Sequence, residues 1–389
     1  MKVIRSKKYR IFPNELQKEM LHRWFGADRW MWNYMVNKVF NEKFDRSKLN
    51  SYSLRDDILN NGPEFINRKT RKYIPDSSVD CCAVRFMTAY KLYTKSIDKS
   101  KKTSSWTNVD KYKPKMKSKK EKSDICNLSK KSDKFFTLDN GYINIRTTKF
   151  YKRQTFISNK KIDIPVDDIK TCSILHKNNK YYIIFHYETQ IKKIINKKCV
   201  IGIDTGIKNT ITFFDGESSN FLNIPTKIFS LNKQISYLDK KLSTKRYESK
   251  RYFKALKRLN KVYNKKTNIV RDFYNKYINY LINNYNVINI DRFNLDVKKS
   301  DYKFINKKKR TICTGYFIQR LTEKAEEYQI ELNIIPKGTP TTQTCSNCGN
   351  IKKDKEKLNL ADRIYKCNKC GYEEDRDINA AKNIYKYSI

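Results

Sequence analysis

Two cysteine doublets leave this chain little freedom near residue 350: Cys345-x-x-Cys348, eighteen residues, then Cys367-x-x-Cys370, with Gly349 and Gly371 following the second cysteine of each doublet. Four thiolates at this spacing set soft ligands tetrahedrally around a structural Zn²⁺, and the glycines permit the knuckle turns. Because four cysteines leave no open coordination position, the expected zinc is structural and not catalytic. A zinc ribbon over 341–372 follows. The other six cysteines, Cys81, Cys82, Cys126, Cys172, Cys199 and Cys313, are scattered. Together the ten read as a reducing, intracellular setting with one metal site, not as a disulfide framework.

Charge narrows the choice of partner. The 389 residues carry 84 Lys and Arg against 40 Asp and Glu, a formal net charge of +44. Such an excess repels itself in a compact state and is most easily tolerated when a polyanion neutralises it, which points to nucleic acid. No stretch of about 18 apolar residues suggests a membrane span, and no apolar segment behind the basic start suggests secretion. Hydrophobic residues at 39% and aromatics at 13% supply enough apolar surface for real cores, so two to four folded modules are expected.

Periodicity places the elements. Residues 1–12 alternate basic and apolar groups up to Pro13, as a short strand does. From Asn14, a plausible N-cap, the spacing of Leu16, Met20, Trp24, Trp30, Tyr34 and Val39 becomes helical, with Gly26 as a bend. A second helix is expected from about Ser78 to Ile97, with Val84, Met87, Tyr90 and Leu92 on its apolar side. The lysine-dense stretch 99–122 has no period and reads as a mobile basic loop, either a solvated linker or an RNA contact. Between about Lys134 and Thr189, six short strand patterns suggest a small β-barrel that the N-terminal strand joins across the helical insert. Residues 198–214 then read as a strand hairpin, and Ser230 to Tyr285 as a helical region broken near Thr244–Lys250. A strand at 286–291, a helix at about 316–328 and a strand at 331–335 complete the order of an α/β domain with a mixed sheet.

Three acids stand at the ends of apolar elements. Asp204 closes VIGID, Asp291 closes VINID, and Asp377 lies in DRDINAAKNI just before a C-terminal helix. Phosphodiester hydrolysis by two Mg²⁺ ions uses clustered carboxylates as hard oxygen ligands, and carboxylates ending adjacent strands supply such a cluster. Taken singly, each aspartate also suits a cap or a turn, and spacing does not choose.

A resemblance does. Ile203-Asp204-Thr205-Gly206-Ile207-Lys208-Asn209 resembles the first RuvC motif of TnpB proteins, Ile290-Asp291-Arg292-Phe293-Asn294-Leu295 the second, and the stretch from Asp375 to Ile384 the third. TTQTCSNCG (341–349) is similar to the start of that family's ribbon, and residues 9–33 to its N-terminal stretch. The resemblance implies an α/β plus β-barrel fold in four parts. A wedge-like β-barrel (1–12 and 130–192) is interrupted by a helical recognition insert with a basic loop (13–129). A RuvC-like domain of ribonuclease H type (196–340 and 373–389) carries the zinc ribbon (341–372). It also implies an endonuclease that uses a guide RNA to open and cleave double-stranded DNA beside a short motif. Asp204, Asp291 and Asp377 would be both the catalytic residues and the ligands of Mg²⁺ or Mn²⁺, while Cys345, Cys348, Cys367 and Cys370 hold zinc. The related Fanzor proteins and type V CRISPR effectors share this plan, and at this length a TnpB or compact Fanzor fits best. The expected compartment is the cytoplasm for a prokaryotic protein and the nucleus for a eukaryotic or viral one.

The chain departs from the family at one point. The second motif usually carries Glu where this chain has Asp291, which sets the carboxylate about 1–1.5 Å further back. Fanzor proteins often move that Glu to just ahead of the ribbon, but Lys337, Gly338 and Thr339 occupy that place here. The competing readings are an RNA-guided DNA-binding regulator that no longer cuts, and a transposase that joins DNA ends. A ribbon inserted between the second and third acids argues against the latter.

Overall fold

In the computed structural model the chain forms two units, Met1–Gln190 and Ile191–Ile389. The structure describes residues 2–42, 49–70, 73–103, 111–118, 123–129, 136–139, 142–148, 150–191, 198–247, 249–291, 311–336, 338–359 and 362–388. Arg292 to Leu295 of the second motif and the basic stretch 306–310 lie outside the described residues.

The first unit runs β1 (Lys2–Ile11), α1 (Glu15–Phe40), α2 (Ser51–Asn61), α3 (Asp76–Thr103), β2 (Ser123–Ser129), β3 (Phe136–Asp139), β4 (Tyr142–Arg146), β5 (Arg153–Ile157), β6 (Ile169–Lys177) and β7 (Lys180–Gln190). The strands make two antiparallel sheets, β1-β7-β6-β2 and β3-β4-β5. They are stitched together where Ile11 bridges Ser158 and Phe12 N–H donates to the Ile157 carbonyl at 3.0 Å. The N-terminal strand thus joins later strands across the helical insert, as expected. Strand β2 was not legible: it lies in the stretch assigned to the insert, yet pairs along its length with β6.

Helix α1 begins as expected at Asn14, whose side chain accepts from Gln17 N–H while Gln17 returns a bond to the Asn14 backbone. Gly26 does not bend it; the helix is continuous through that residue. A Cβ at Gly26 would meet nothing within 4 Å. Gly26→Ala should therefore stabilise the unit by about 0.5–1 kcal/mol through helix propensity alone, and thermal unfolding of the pure protein measures it. Trp24 and Trp32 are core residues, their indole N–H groups donating to the carbonyls of Tyr73 at 2.8 Å and Lys115 at 2.9 Å. Both rings therefore serve packing.

Two expectations for this unit need correction. The buried side of α3 is Val79, Cys82, Ala83, Phe86 and Met87, while Val84 and Leu92 are exposed. Met87 is buried and Tyr90 packs against the core as the spacing predicts, but Val84 and Leu92 face outward, and Val79, Ala83 and Phe86 take the inner positions. The basic stretch 99–122 is not one loop either. Helix α3 continues to Thr103, and residues 115–117 are tied to α1: Asn33 donates to the Lys117 carbonyl at 2.9 Å and accepts from Lys117 N–H at 2.7 Å. Backbone bonds of this kind leave no mark in composition.

The second unit runs β8 (Lys198–Asp204), β9 (Ile211–Phe214), β10 (Ser219–Leu222), α4 (Lys227–Ser243), α5 (Lys250–Asn284), β11 (Tyr285–Ile290), α6 (Thr314–Tyr328), β12 (Glu331–Ile334), β13 (Ile364–Lys366), β14 (Glu373–Asp375) and α7 (Arg376–Tyr385). Its five-stranded sheet has the order β10-β9-β8-β11-β12. The β10–β9 and β9–β8 pairs are antiparallel, and β8–β11 and β11–β12 are parallel, giving the mixed sheet expected. Ile201, Ile203, Ile288 and Ile290 of the parallel strands pack in one core with Tyr274, Leu281, Phe317 and Leu321 of the helices. The break between α4 and α5 falls where the charged run predicted it, and Ser249 caps α5 by accepting from Tyr252 N–H at 3.0 Å.

Candidate active site and metal centre

Strand register brings the first two acids together. Strands β8 and β11 run parallel with Ile203 opposite Ile290, so they end side by side. Asp204 is the last residue of β8, and Asp291 follows β11 with its N–H donating to the Ile203 carbonyl at 3.0 Å. Thr205 ties the two ends again, its hydroxyl donating to the Asp291 carbonyl at 3.1 Å.

The third acid arrives on α7. Asp377 is not ahead of this helix but in its first turn, because Asp375 takes the N-cap position and accepts from Asp377 N–H at 2.8 Å. The helix lies directly on β8 at Gly202: a Cβ there would stand 2.4 Å from the Ala381 carbonyl oxygen and 2.4 Å from Tyr385 N. One helical turn back from Ala381 and two strand residues on from Gly202, Asp377 and Asp204 meet.

Electrostatics records that meeting. The carboxyl of Asp204 is enclosed by protein, although the residue keeps a partly exposed edge, and its pKa is pushed up to about 8 by burial and then by the negative charges of Asp377 and Asp291. Arg376 offsets part of this. Neighbours orient the other two acids: Asn209 donates to Asp377 Oδ2 at 3.1 Å and Thr341 donates to Asp291 Oδ2 at 3.1 Å. Carboxylates brought near one another in a low-dielectric place are donors of the kind that Mg²⁺ or Mn²⁺ takes.

The four cysteines form a tighter group, with all ligand atoms within 4.8 Å of one another. Cys345 and Cys370 sulfurs lie 3.7 Å apart, and those of Cys348 and Cys367 3.6 Å. A Zn–S bond of about 2.3 Å gives a tetrahedral edge of about 3.8 Å, so four thiolates here fit one ion. Two matching turns build the group. Gly349 and Gly371 have φ of +73° and +69°, and their N–H groups donate to the carbonyls of Cys345 and Cys367. The backbone N–H groups facing Cys367, that of Cys370 first, draw its thiol below the usual range, which favours the metal-binding thiolate. Elemental analysis should find one zinc per chain, and Cys367→Ser should lose it; a folded protein without zinc would refute the ribbon.

Glu331 of β12 and Glu323 and Glu327 of α6 do not stand in for the shortened Asp291. Glu331 opens β12 opposite Val287, the end of the sheet away from Asp291. Glu323 pairs with Arg320 at 2.7 Å and Glu327 with Lys324 at 2.9 Å on α6. On α5, Asp272 holds Lys276 at 2.8 Å, and the Arg271 guanidinium lies over the Tyr316 ring. Reading the sequence missed the supporting shell of Gly202, Asn209, Thr341, Asn379 and Asn383. Asn209, Thr341, Asn379 and Asn383 lie in the stretches that resemble the family's motifs, but nothing in the sequence pointed to their partners.

Comparison with known proteins shows what this arrangement is similar to. Residues 315–384 match the Cas12f1-like TNB domain, residues 182–300 a family described as a probable transposase (OrfB of IS605), and residues 1–42 its helix-turn-helix domain. Over that last range the chain is a strand followed by one helix. A TnpB-like protein of Acanthamoeba polyphaga mimivirus is 28% identical over 99% of this chain and 74% of its own length. The putative RNA-guided DNA endonuclease InsQ of Escherichia coli is 22% identical over 56% of each chain. The Cas12f1 protein in a complex with single guide RNA and target DNA superposes with a TM-score of 0.52 at 13% identity, covering 100% of this chain and 99% of that one. The fold is RuvC-like, with an inserted four-cysteine ribbon. Along nearly its whole length the chain is similar to TnpB-like proteins, and part of it matches the OrfB family of IS605. Among the described residues, no helix is long and apolar enough to cross a membrane.

Proposed function

We propose that this protein is an RNA-guided DNA endonuclease that opens and cleaves double-stranded DNA beside a short motif. The observation that carries the reading is the convergence of Asp204, Asp291 and Asp377, felt as the raised pKa of Asp204. These three carboxylates would hold two divalent cations, which when bound supply an activated water and a stabilised leaving oxygen. The chain's own residues set up the site. Asn209 and Thr341 fix the outer two carboxylates, and Arg376, within 3.7 Å of Asp377, offers positive charge beside them.

Nucleic acid is the partner that the charge calls for. On α5, Lys254, Lys257, Arg258, Lys261 and Lys265 are exposed on successive turns, the repeat a phosphate backbone can follow. The domain boundaries proposed are those of the resemblance, with the barrel's second part extended to begin at β2.

The test is to sequence the RNA that copurifies with the protein and supply it with DNA carrying its complement in Mg²⁺ or Mn²⁺. A defined RNA that survives moderate salt and directs a cut supports the reading. Random fragments that wash off would leave generic basic binding, and guided binding without a cut would leave the regulator. The shortened acid Asp291 is the feature that keeps this second reading in play.

A further inference from the structure

The segment that leads into the zinc ribbon is built against the carboxylate cluster. Asn379, fully buried, donates from Nδ2 to the Thr344 carbonyl at 2.8 Å and accepts at Oδ1 from Ser346 N–H at 2.9 Å. Asn383, one turn later on α7, donates to the Thr344 carbonyl at 2.7 Å and to the Thr341 carbonyl at 2.8 Å. Lys386 adds a bond to the Ser346 carbonyl. The helix that carries Asp377 therefore grips residues 341–346 on either side of Cys345. Thr341, 6% exposed, then turns its hydroxyl to Asp291 Oδ2.

We propose that Thr341 is a positioning residue for Asp291, held in place by Asn383, so that the ribbon's lead-in sets the direction of the carboxylate in the second motif. The proposal rests on the nuclease reading above. Its physical basis is reach. Asp has one fewer methylene than Glu and cannot adjust its position by a further torsion, so its direction depends on what its oxygens touch. A buried hydroxyl at 3.1 Å supplies such a contact, and groups of this kind around metal ligands typically govern affinity by about 10- to 100-fold.

A threonine that merely fills a buried loop position would behave differently from one that orients a carboxylate. Thr341→Val keeps the shape and removes the hydroxyl; Thr341→Ser keeps the hydroxyl and removes a methyl. The measurement is Mn²⁺ binding to the full-length protein by titration, with zinc content and melting temperature followed on the same samples and Asp204→Asn as the control for the carboxylate site. Expected is a loss of Mn²⁺ affinity of about tenfold or more in Thr341→Val, with one zinc retained, and near wild-type affinity in Thr341→Ser. Wild-type Mn²⁺ affinity in Thr341→Val overturns the proposal and leaves the nuclease reading standing. An equal loss in Thr341→Ser and Thr341→Val also overturns it, since packing and not the hydroxyl would then matter. If the wild type binds no Mn²⁺ that Asp204→Asn removes, the nuclease reading itself falls, and the proposal falls with it.

Discussion

Replacing Asp204 with Asn should silence DNA cleavage by several orders of magnitude while raising the melting temperature of the metal-free protein near pH 8. The two effects share one cause. The folded state keeps a proton on this carboxyl up to about pH 8, because burial and the charges of Asp377 and Asp291 oppose ionisation. The unfolded chain releases it near the ordinary carboxylate value of about 3.9. Between those two values the native state binds the extra proton, so this group's contribution to stability falls as pH rises through that window and levels off above about 8. An amide at 204 removes the charge that has to be accommodated, so the variant should be the more stable protein, and its stability should decline less between pH 5 and pH 8. The same amide is a poor ligand for a hard cation, so activity is lost. Melting curves at several pH values without divalent ions, paired with cleavage assays, check both arms. A variant that is less stable than wild type at pH 8, or one that still cuts, would show that the three acids do not form a strained, metal-binding cluster. On the proposed function, guided DNA binding should survive, because its affinity would come from phosphate contacts and base pairing away from these carboxylates.

How much of this was legible in the sequence depends on the range over which each residue acts. Cys345, Cys348, Cys367 and Cys370 announce themselves because chelation is local in sequence within each doublet, and the turns at Gly349 and Gly371 need a residue type that can be seen. Asp204 and Asp291 are legible as ends of apolar strands. What could not be read is why they meet, which is set by the Ile203–Ile290 register between strands more than eighty residues apart. Asp377 was placed one step wrong because Asp375, an equally good cap, stands two residues before it. Strand β2 was hidden because SDICNLS is short and polar, and only pairing with β6 makes it a strand. The asparagines of α7 look like ordinary polar helix residues. Their work is done on carbonyls some forty residues away in the chain, at Thr341 and Thr344.

Gly202→Ala should be among the most damaging single substitutions in the second unit, although it adds one methyl group to a residue with no side chain of its own. A Cβ at 202 would stand 2.4 Å from the Ala381 carbonyl oxygen, 2.4 Å from Tyr385 N and 2.7 Å from Tyr385 Cα. All three are backbone atoms of one helix, so no side-chain rotation relieves the overlap. Reaching ordinary contact requires α7 to move off β8 by about 1 Å. Overpacking of this kind costs about 1–3 kcal/mol, and more where the backbone resists. Resistance is considerable here, because α7 is tied at both ends: Asn289 on β11 donates to the carbonyls of Ile384 and Tyr385 at 3.1 and 3.2 Å, and Asn379 and Asn383 hold the ribbon's lead-in. If the helix gives way, Asp377 moves with it, and a misplacement of about 1 Å at a reacting centre costs roughly a hundredfold in rate. Zinc content should remain at one per chain, since the four cysteines do not contact position 202. The measurement is melting temperature together with cleavage rate for Gly202→Ala beside the milder control Gly26→Ala, where the added methyl meets nothing. Unchanged stability and cleavage in Gly202→Ala would mean that α7 does not rest on β8 as closely as these distances require, and that something other than this contact brings Asp377 to Asp204.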